Sequence, residues 1–363
     1  MEKYENALPP EVNSEHNENT EMPERNSEED DASKLRGYKI VCAKLGLSMC
    51  VYFIFRLPGG LIVLQLSKVS EQLGDSLYNL ISTAIIIVMV YVIPLLFTAL
   101  IFSSFSNYKG KYREMYKKPK RLARALGTFP AMYGLGYGIA LLTTIVMYII
   151  SVNVSGHSYL DELLRPTTME STSSVAGILT LVFLLVVIAP VFEEIWVRGI
   201  MYDALKPYGT GMAIIISSII FGFMHGSLYM FFYTTALGFA LGYVRYATDS
   251  LFTVTILHAM VNSVAAGILV FISLEQMTNG ENRVVNTFYW VYIIAVLALI
   301  IIGVVVFLSK IRKIRKYKFE NPWMAIGPWK KTALFFVSVP VILMLVFVFN
   351  ELSQGLLVGL FLR

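Results

Sequence analysis

An all-α fold, a polytopic transmembrane helical bundle of about eight or nine spans behind a disordered acidic N-terminal tail, follows from three features of the sequence. Of its 363 residues, 56% are hydrophobic and only 15% charged, more apolar side chain than a soluble domain of that length can bury. The apolar residues fall in runs long enough to cross a bilayer, about 17 to 25 residues each. The charges collect between those runs and at the N-terminus.

The N-terminal stretch comes first. Residues 1–33 hold eleven Asp or Glu against two basic residues, Lys3 and Arg25. With Asn, Ser and Pro filling the rest, this predicts a disordered cytoplasmic tail over 1–36, ahead of a membrane bundle over 37–363. The tail carries −9 of a whole-chain +5, which leaves +14 on the remainder. No basic start followed by an apolar core marks a secretory signal. His16 lies in this tail and has no assigned role.

Nine candidate spans follow, at 40–65, 77–105, 129–151, 175–197, 210–228, 229–246, 250–273, 287–309 and 333–350. The first contains Lys44 and runs into Arg56-Leu57-Pro58-Gly59-Gly60, a pattern that fits either a kinked span or an interfacial helix. The two cysteines, Cys42 and Cys50, lie there, roughly 12 Å apart along a helix and too far for a disulfide. In the sixth run, Gly238-Phe239-Ala240-Leu241-Gly242 places small residues where another helix can approach closely.

Orientation follows from the basic loops. Lys109 to Arg121 and Lys310 to Lys316 are the dense clusters, and cytoplasmic loops are the basic ones. Nine spans place both inside, with the N-terminus inside and the C-terminus outside. Topology and attraction to an anionic bilayer account for their charge, so nucleic acid is not needed as a partner. His157 falls in an outer loop among Ser and Gly and has no assigned role.

The chemistry gathers in the fourth run, where Ala189-Pro190-Val191-Phe192-Glu193-Glu194-Ile195-Trp196-Val197-Arg198 puts two carboxylates and a guanidinium in apolar surroundings. Ionisable groups in a membrane are costly and are usually paired, inward-facing and functional. On a helix Glu194 and Arg198 lie roughly 40° apart around the axis, whereas Glu193 and Arg198 lie roughly 140° apart. Arg198 can therefore pair with Glu194 and leave Glu193 available as a general base or acid. A purely structural ion pair at a membrane boundary is the competing explanation.

Two further histidines lie in or at the ends of apolar runs, His225 in Phe221-Gly222-Phe223-Met224-His225 and His258 in Leu257-His258-Ala259-Met260-Val261-Asn262. A turn near Gly209 is equally distant from Glu193 and His225, so an antiparallel hairpin sets both at one level, roughly 24 Å from it. His258 and Asn262 are four apart and share a helix face. Convergence of four such groups is what an active site requires.

These residues carry a resemblance. Glu193-Glu194-x-x-x-Arg198, Phe221-x-x-x-His225 and His258-x-x-x-Asn262, in order on successive runs over roughly 175–270, resemble the motifs of the CAAX protease and bacteriocin-processing (CPBP/Abi) family of intramembrane proteases. The resemblance implies hydrolysis of a peptide bond in a membrane-associated protein or peptide. Glu193 and His225 would activate water, His258 and Asn262 would stabilise the oxyanion, and Glu194 with Arg198 would form the structural pair. The acidic tail and ninth run depart from the family pattern. Members of the family have been called metalloproteases, and Glu193, His225 and His258 could supply a three-ligand zinc site. No His-Glu-x-x-His helix is present, and Asn262 suits an oxyanion better than zinc, so a mechanism with no cofactor is expected.

Three rival roles remain: a non-catalytic membrane adaptor, a bacteriocin self-immunity protein, and a proton-relaying transporter, disfavoured by the lack of inverted repeats. The acidic tail and absence of organellar signals fit a bacterial plasma membrane.

Overall fold

A computed structural model describes residues 24–105, 116, 119, 122–155, 174–226, 228–315, 319 and 326–348. The tail up to Pro23 with His16, His157, and most of the basic loop 109–121 lie outside the described residues. The chain divides into two compact units, Met1–Gly37 and Tyr38–Arg363, and the second holds the bundle discussed below.

Among the described residues every regular element is helical. α1 runs over Glu24–Ser67 and continues through Pro58. It begins inside the stretch read as disordered tail, where Lys34 pairs with Asp30 one turn earlier at 2.5 Å. Charged i,i+4 pairs of this kind support an exposed helix although the composition is acidic. α2 comprises Asp75–Ile86, a π-helical turn Ile87–Val92 and Ile93–Phe105. α3 spans Phe129–Ser155.

α4 is the most interrupted helix, comprising Val175–Phe183, π-helical Leu184–Ile188, Ala189–Glu194, π-helical Ile195–Met201 and Tyr202–Leu205. Ser174 caps its start by accepting from the Gly177 N–H. Gly209, at φ 146°, then reverses the chain into α5, Thr210–Phe223. Next come α6, Leu228–Thr248, and α7, Leu251–Met277, the latter capped by Ser250 on the Thr253 N–H. α8 covers Arg283–Arg315 and α9 Pro328–Phe336.

The nine apolar runs correspond to helices, but fewer are built to cross a bilayer. Among the described residues six helices are long and apolar enough, or seven if α9 and the following Val339–Val348, bent by 68°, form one broken span. The break falls at Val337–Ser338, just before Pro340, whose ring removes a donor and crowds the preceding turn. α5 has 14 residues, roughly 21 Å of helix, short of the roughly 30 Å hydrocarbon core. The eight or nine expected spans thus include two inner helices, α5 and α6, that do not meet the criterion. Composition alone counts them because apolar side chains serve a protein interior as well as lipid. α1 is long and apolar enough to be a span. An even number of spans still separates the basic clusters, four among the described residues or six if α5 and α6 both cross.

Small residues let the helices close on one another. Gly134 of α3 and Gly303 of α8 face each other so closely that a Cβ on either would collide with the other backbone. On α6, a Cβ at Gly238 would lie 3.0 Å from Ser218 Cα and one at Gly242 would lie 3.0 Å from Ile214 Cγ2. This places α6 against α5 through the small-residue stripe. An apolar core of Tyr133, Leu237, Leu241, Val254, Leu257 and Val296 joins α3, α6, α7 and α8. Outward residues such as Leu142, Ile294 and Ile301 are exposed, as lipid-facing side chains should be.

Candidate active site

Ala189–Glu194 lies between the two π-helical turns of α4. Single π turns occur inside α-helices and are frequent at functional sites. Glu194 and Arg198 are both fully buried, with Arg198 Nη1 donating to Glu194 Oε1 at 2.8 Å. The guanidinium lies 4.4 Å over the Phe221 ring, and its Nη2 donates to the Gly238 carbonyl at 3.2 Å. α4, α5 and α6 therefore meet at one cation.

α7 adds the imidazole. His258, buried, sets Nδ1 at 2.8 Å from the same Glu194 Oε1 that Arg198 holds. Its Nε2 lies 3.8 Å from Glu193 Oε2. Adjacent carboxylates thus face opposite nitrogens of one ring. Glu193 keeps 13% of its side chain exposed and Glu194 none, so Glu193 is the one a water or substrate can reach. Tyr91, in the π turn of α2, donates to Glu193 Oε1 at 3.4 Å, and its ring packs on Phe192.

Asn262 lies one turn beyond His258, and its Nδ2 donates to the Leu185 carbonyl at 2.9 Å. Leu185 belongs to the first π turn of α4, so this bond ties α7 to α4 beside the carboxylates. A carboxamide has two N–H donors, and one remains for another acceptor. His225 follows Met224 at the end of α5, with Nδ1 2.8 Å from the Phe221 carbonyl. Its ring stands edge-on to Phe221 at 4.9 Å, and His258 stands edge-on to the same ring at 5.5 Å. Glu193, Glu194, Arg198 and His258 form one string of contacts, while His225 joins it through an aromatic wall.

Phe221, read in the sequence only as the first position of Phe221-x-x-x-His225, touches both imidazoles and the guanidinium. Tyr91, an aromatic residue in an apolar run, carries no sequence signal. Arg56 and Tyr52 of α1 both donate to the Met224 carbonyl, at 2.5 and 3.1 Å. Here a signal existed, a lone arginine inside an apolar run. A second arginine, Arg245 of α6, donates through Nε to the Arg198 carbonyl at 3.3 Å and pairs with Asp203 at 3.2 Å and Asp249 at 2.7 Å.

Among the described residues no three His, Cys, Asp or Glu side chains are grouped so as to hold an ion. Glu193 and His258 approach each other, and the contact of His225 with a backbone carbonyl engages Nδ1, not Nε2.

Residues 175–264 match the family described as type II CAAX prenyl endopeptidase Rce1-like. The matched segment runs from the start of α4 into α7 and contains Glu193, Glu194, Arg198, His225, His258 and Asn262. Over that segment the chain is similar to the CAAX protease and bacteriocin-processing family, and its long apolar helices are those of a multi-pass membrane protein. An uncharacterized protein of Mycoplasma capricolum subsp. capricolum is 24% identical over 183 residues, covering 47% of this chain and 52% of that protein. The chain therefore spans about half the length of the curated relative it matches. No solved structure matches.

Proposed function

We propose that this chain is an intramembrane endopeptidase that hydrolyses a peptide bond of a membrane-associated protein or peptide, with Glu193 as the residue that activates water. The observation that supports the reading is the Glu193, His258, Glu194, Arg198 string inside the segment that matches the protease family. Glu193 takes a proton as water oxygen bonds to the scissile carbonyl carbon. The tetrahedral oxyanion forms, and collapse breaks the C–N bond while the leaving amine receives the proton held by Glu193.

Because Glu194 engages Nδ1 of His258, Nε2 is a donor only when the ring carries both protons. In that form it can donate to the oxyanion, with the second N–H of Asn262 as its companion. His225, on the same Phe221 ring, would assist the water. Donors of this kind contribute about 2.7–4 kcal/mol each when aimed at a developing oxyanion. Glu194 and Arg198 orient the imidazole and neutralise each other. The cofactor-free form of the mechanism is part of the proposal, as is a bacterial plasma membrane as its setting.

Comparison of the N- and C-termini of membrane proteins from cells carrying the intact chain and cells carrying Glu193→Ala tests this reading. New termini confined to the intact chain, reproduced by purified protein in proteoliposomes and lost in Glu193→Gln, are the expected result. Identical termini in both cells, with a partner protein co-purifying equally with both forms, would replace the protease by an adaptor.

A further inference from the structure

We infer that Arg56 and Tyr52 of α1 are positioning residues for His225, acting through the Met224 carbonyl, so that the site is completed by a helix outside the family-matched segment. The last carbonyls of a helix have no partner within it and form its negative end. At α5 that end is met by a guanidinium and a phenol on one oxygen, Arg56 Nη1 at 2.5 Å and Tyr52 OH at 3.1 Å. The two donors are themselves 3.3 Å apart. Charge-assisted bonds to carbonyls at a helix C-terminus are among the stronger hydrogen bonds.

Met224 immediately precedes His225, and Gly226 then turns the chain at φ 63°. Fixing the Met224 carbonyl fixes the peptide plane it shares with the His225 nitrogen. The imidazole is then held from one side by the Phe221 carbonyl and from the backbone side by α1. Tyr52 also reaches the other half of the site, since its ring stands edge-on to Trp196 at 5.1 Å, two residues beyond Glu194. One tyrosine on α1 thus touches both the π turn that follows the carboxylates and the carbonyl that precedes His225. An arginine in an apolar run is costly unless it serves such a purpose.

The test has an arm independent of catalysis, because the catalytic purpose of the clamp rests on the proposed protease function while the clamp itself does not. Purified full-length protein is treated with diethyl pyrocarbonate, and modification of each histidine is followed by mass spectrometry. Arg56→Gln and Tyr52→Phe should each change the modification rate of His225 several-fold and leave His258 unchanged. Arg56→Lys, which keeps a donor and a charge, should restore part of the wild-type rate. If Arg56→Gln does not fold, Tyr52→Phe, which loses one hydroxyl, decides alone. An unaltered His225 rate in every folded variant overturns the clamp.

In the second arm, the same variants should lower kcat toward the roughly 10²-fold scale of misplacing a catalytic group by an ångström, with KM unchanged. A raised KM with intact kcat would make Arg56 a substrate-binding group and overturn the inference. Altered His225 reactivity in a protein that cleaves nothing would sink the protease reading and keep the clamp. Unaltered reactivity alongside an inactive Glu193→Gln would do the reverse.

Discussion

Arg198 and Arg245 are joined where the side chain of one donates to the backbone carbonyl of the other, yet their carboxylate partners live in different surroundings. Arg198 and Glu194 are both fully buried, and their shared oxygen also holds His258. Arg245 is buried, but Asp203 is 18% exposed and Asp249 79% exposed. The chemistry of the two pairs is the same, and the dielectric around them is not. Desolvation makes the first pair costly to break from either side, whereas water screens the outer end of the second. The buried centre can hold an imidazole in one orientation, and the exposed one serves to anchor the ends of α4 and α6.

The comparison is broken most completely if the two centres do not differ in depth. With both basic loops cytoplasmic, the turn at Asp249 faces the cytoplasm and the turn at Asn279 the outside. A membrane-impermeant thiol reagent should label Asp249→Cys only from the cytoplasmic side and Asn279→Cys only from the other, in a background lacking Cys42 and Cys50. Both labelled from one side would show that α7 does not cross.

Adjacent carboxylates then separate function from folding. Glu193→Gln should leave abundance intact and lower turnover by at least about 10²-fold, the lower end for a lost general base. Glu194→Gln should destabilise the protein by about 3–5 kcal/mol, as expected when one partner of a buried pair is removed, and thermal unfolding in detergent measures it. Equal loss of protein in both variants would remove the distinction between the two residues.

Asn262 sharpens the same division with a smaller effect. As an oxyanion donor, its replacement by Ala should cost about 10²–10³ in turnover, and activity should survive exhaustive chelation. Stoichiometric zinc that is lost together with activity on chelation, and restores it when added back, would overturn the cofactor-free mechanism. Asn262→Ala also severs the bond to the Leu185 carbonyl, so its unfolding temperature must be recorded beside its rate.

The smallest effects belong to the outer pair. Asp203→Asn should cost about 1.5–3 kcal/mol, the worth of a hydrogen bond to a charged group, and Asp249→Asn less than about 1 kcal/mol. A larger cost at Asp249 than at Asp203 would reverse the order that burial sets.

Much of this protein was legible in one dimension because its determinants are local. Run length and apolarity mark the helices at 129–151, 175–197 and 250–273, where α3, α4 and α7 form. The four-residue spacing of Glu194 and Arg198 is a property of one helix, and the pair meets at 2.8 Å. Short sequence separation made that geometry calculable before any packing was known. Span number was less legible, because α5 and α6 are apolar for each other as much as for lipid.

The site was decided by tertiary structure. Sequence spacing set Glu193 and His225 at one level, but rotation about the helix axes put His258 opposite Glu193, while His225 turns back onto the Phe221 carbonyl of its own helix. Tyr91 and Arg56 reach the site from α2 and α1, more than 100 residues away in sequence. No periodicity encodes such contacts, since which faces meet depends on the volume and close approach of many side chains at once. The sequence by itself determined the helices, the apolar medium they require and the local ion pair. Packing determined which imidazole meets which carboxylate, because only packing fixes the angle at which one helix presents its face to another.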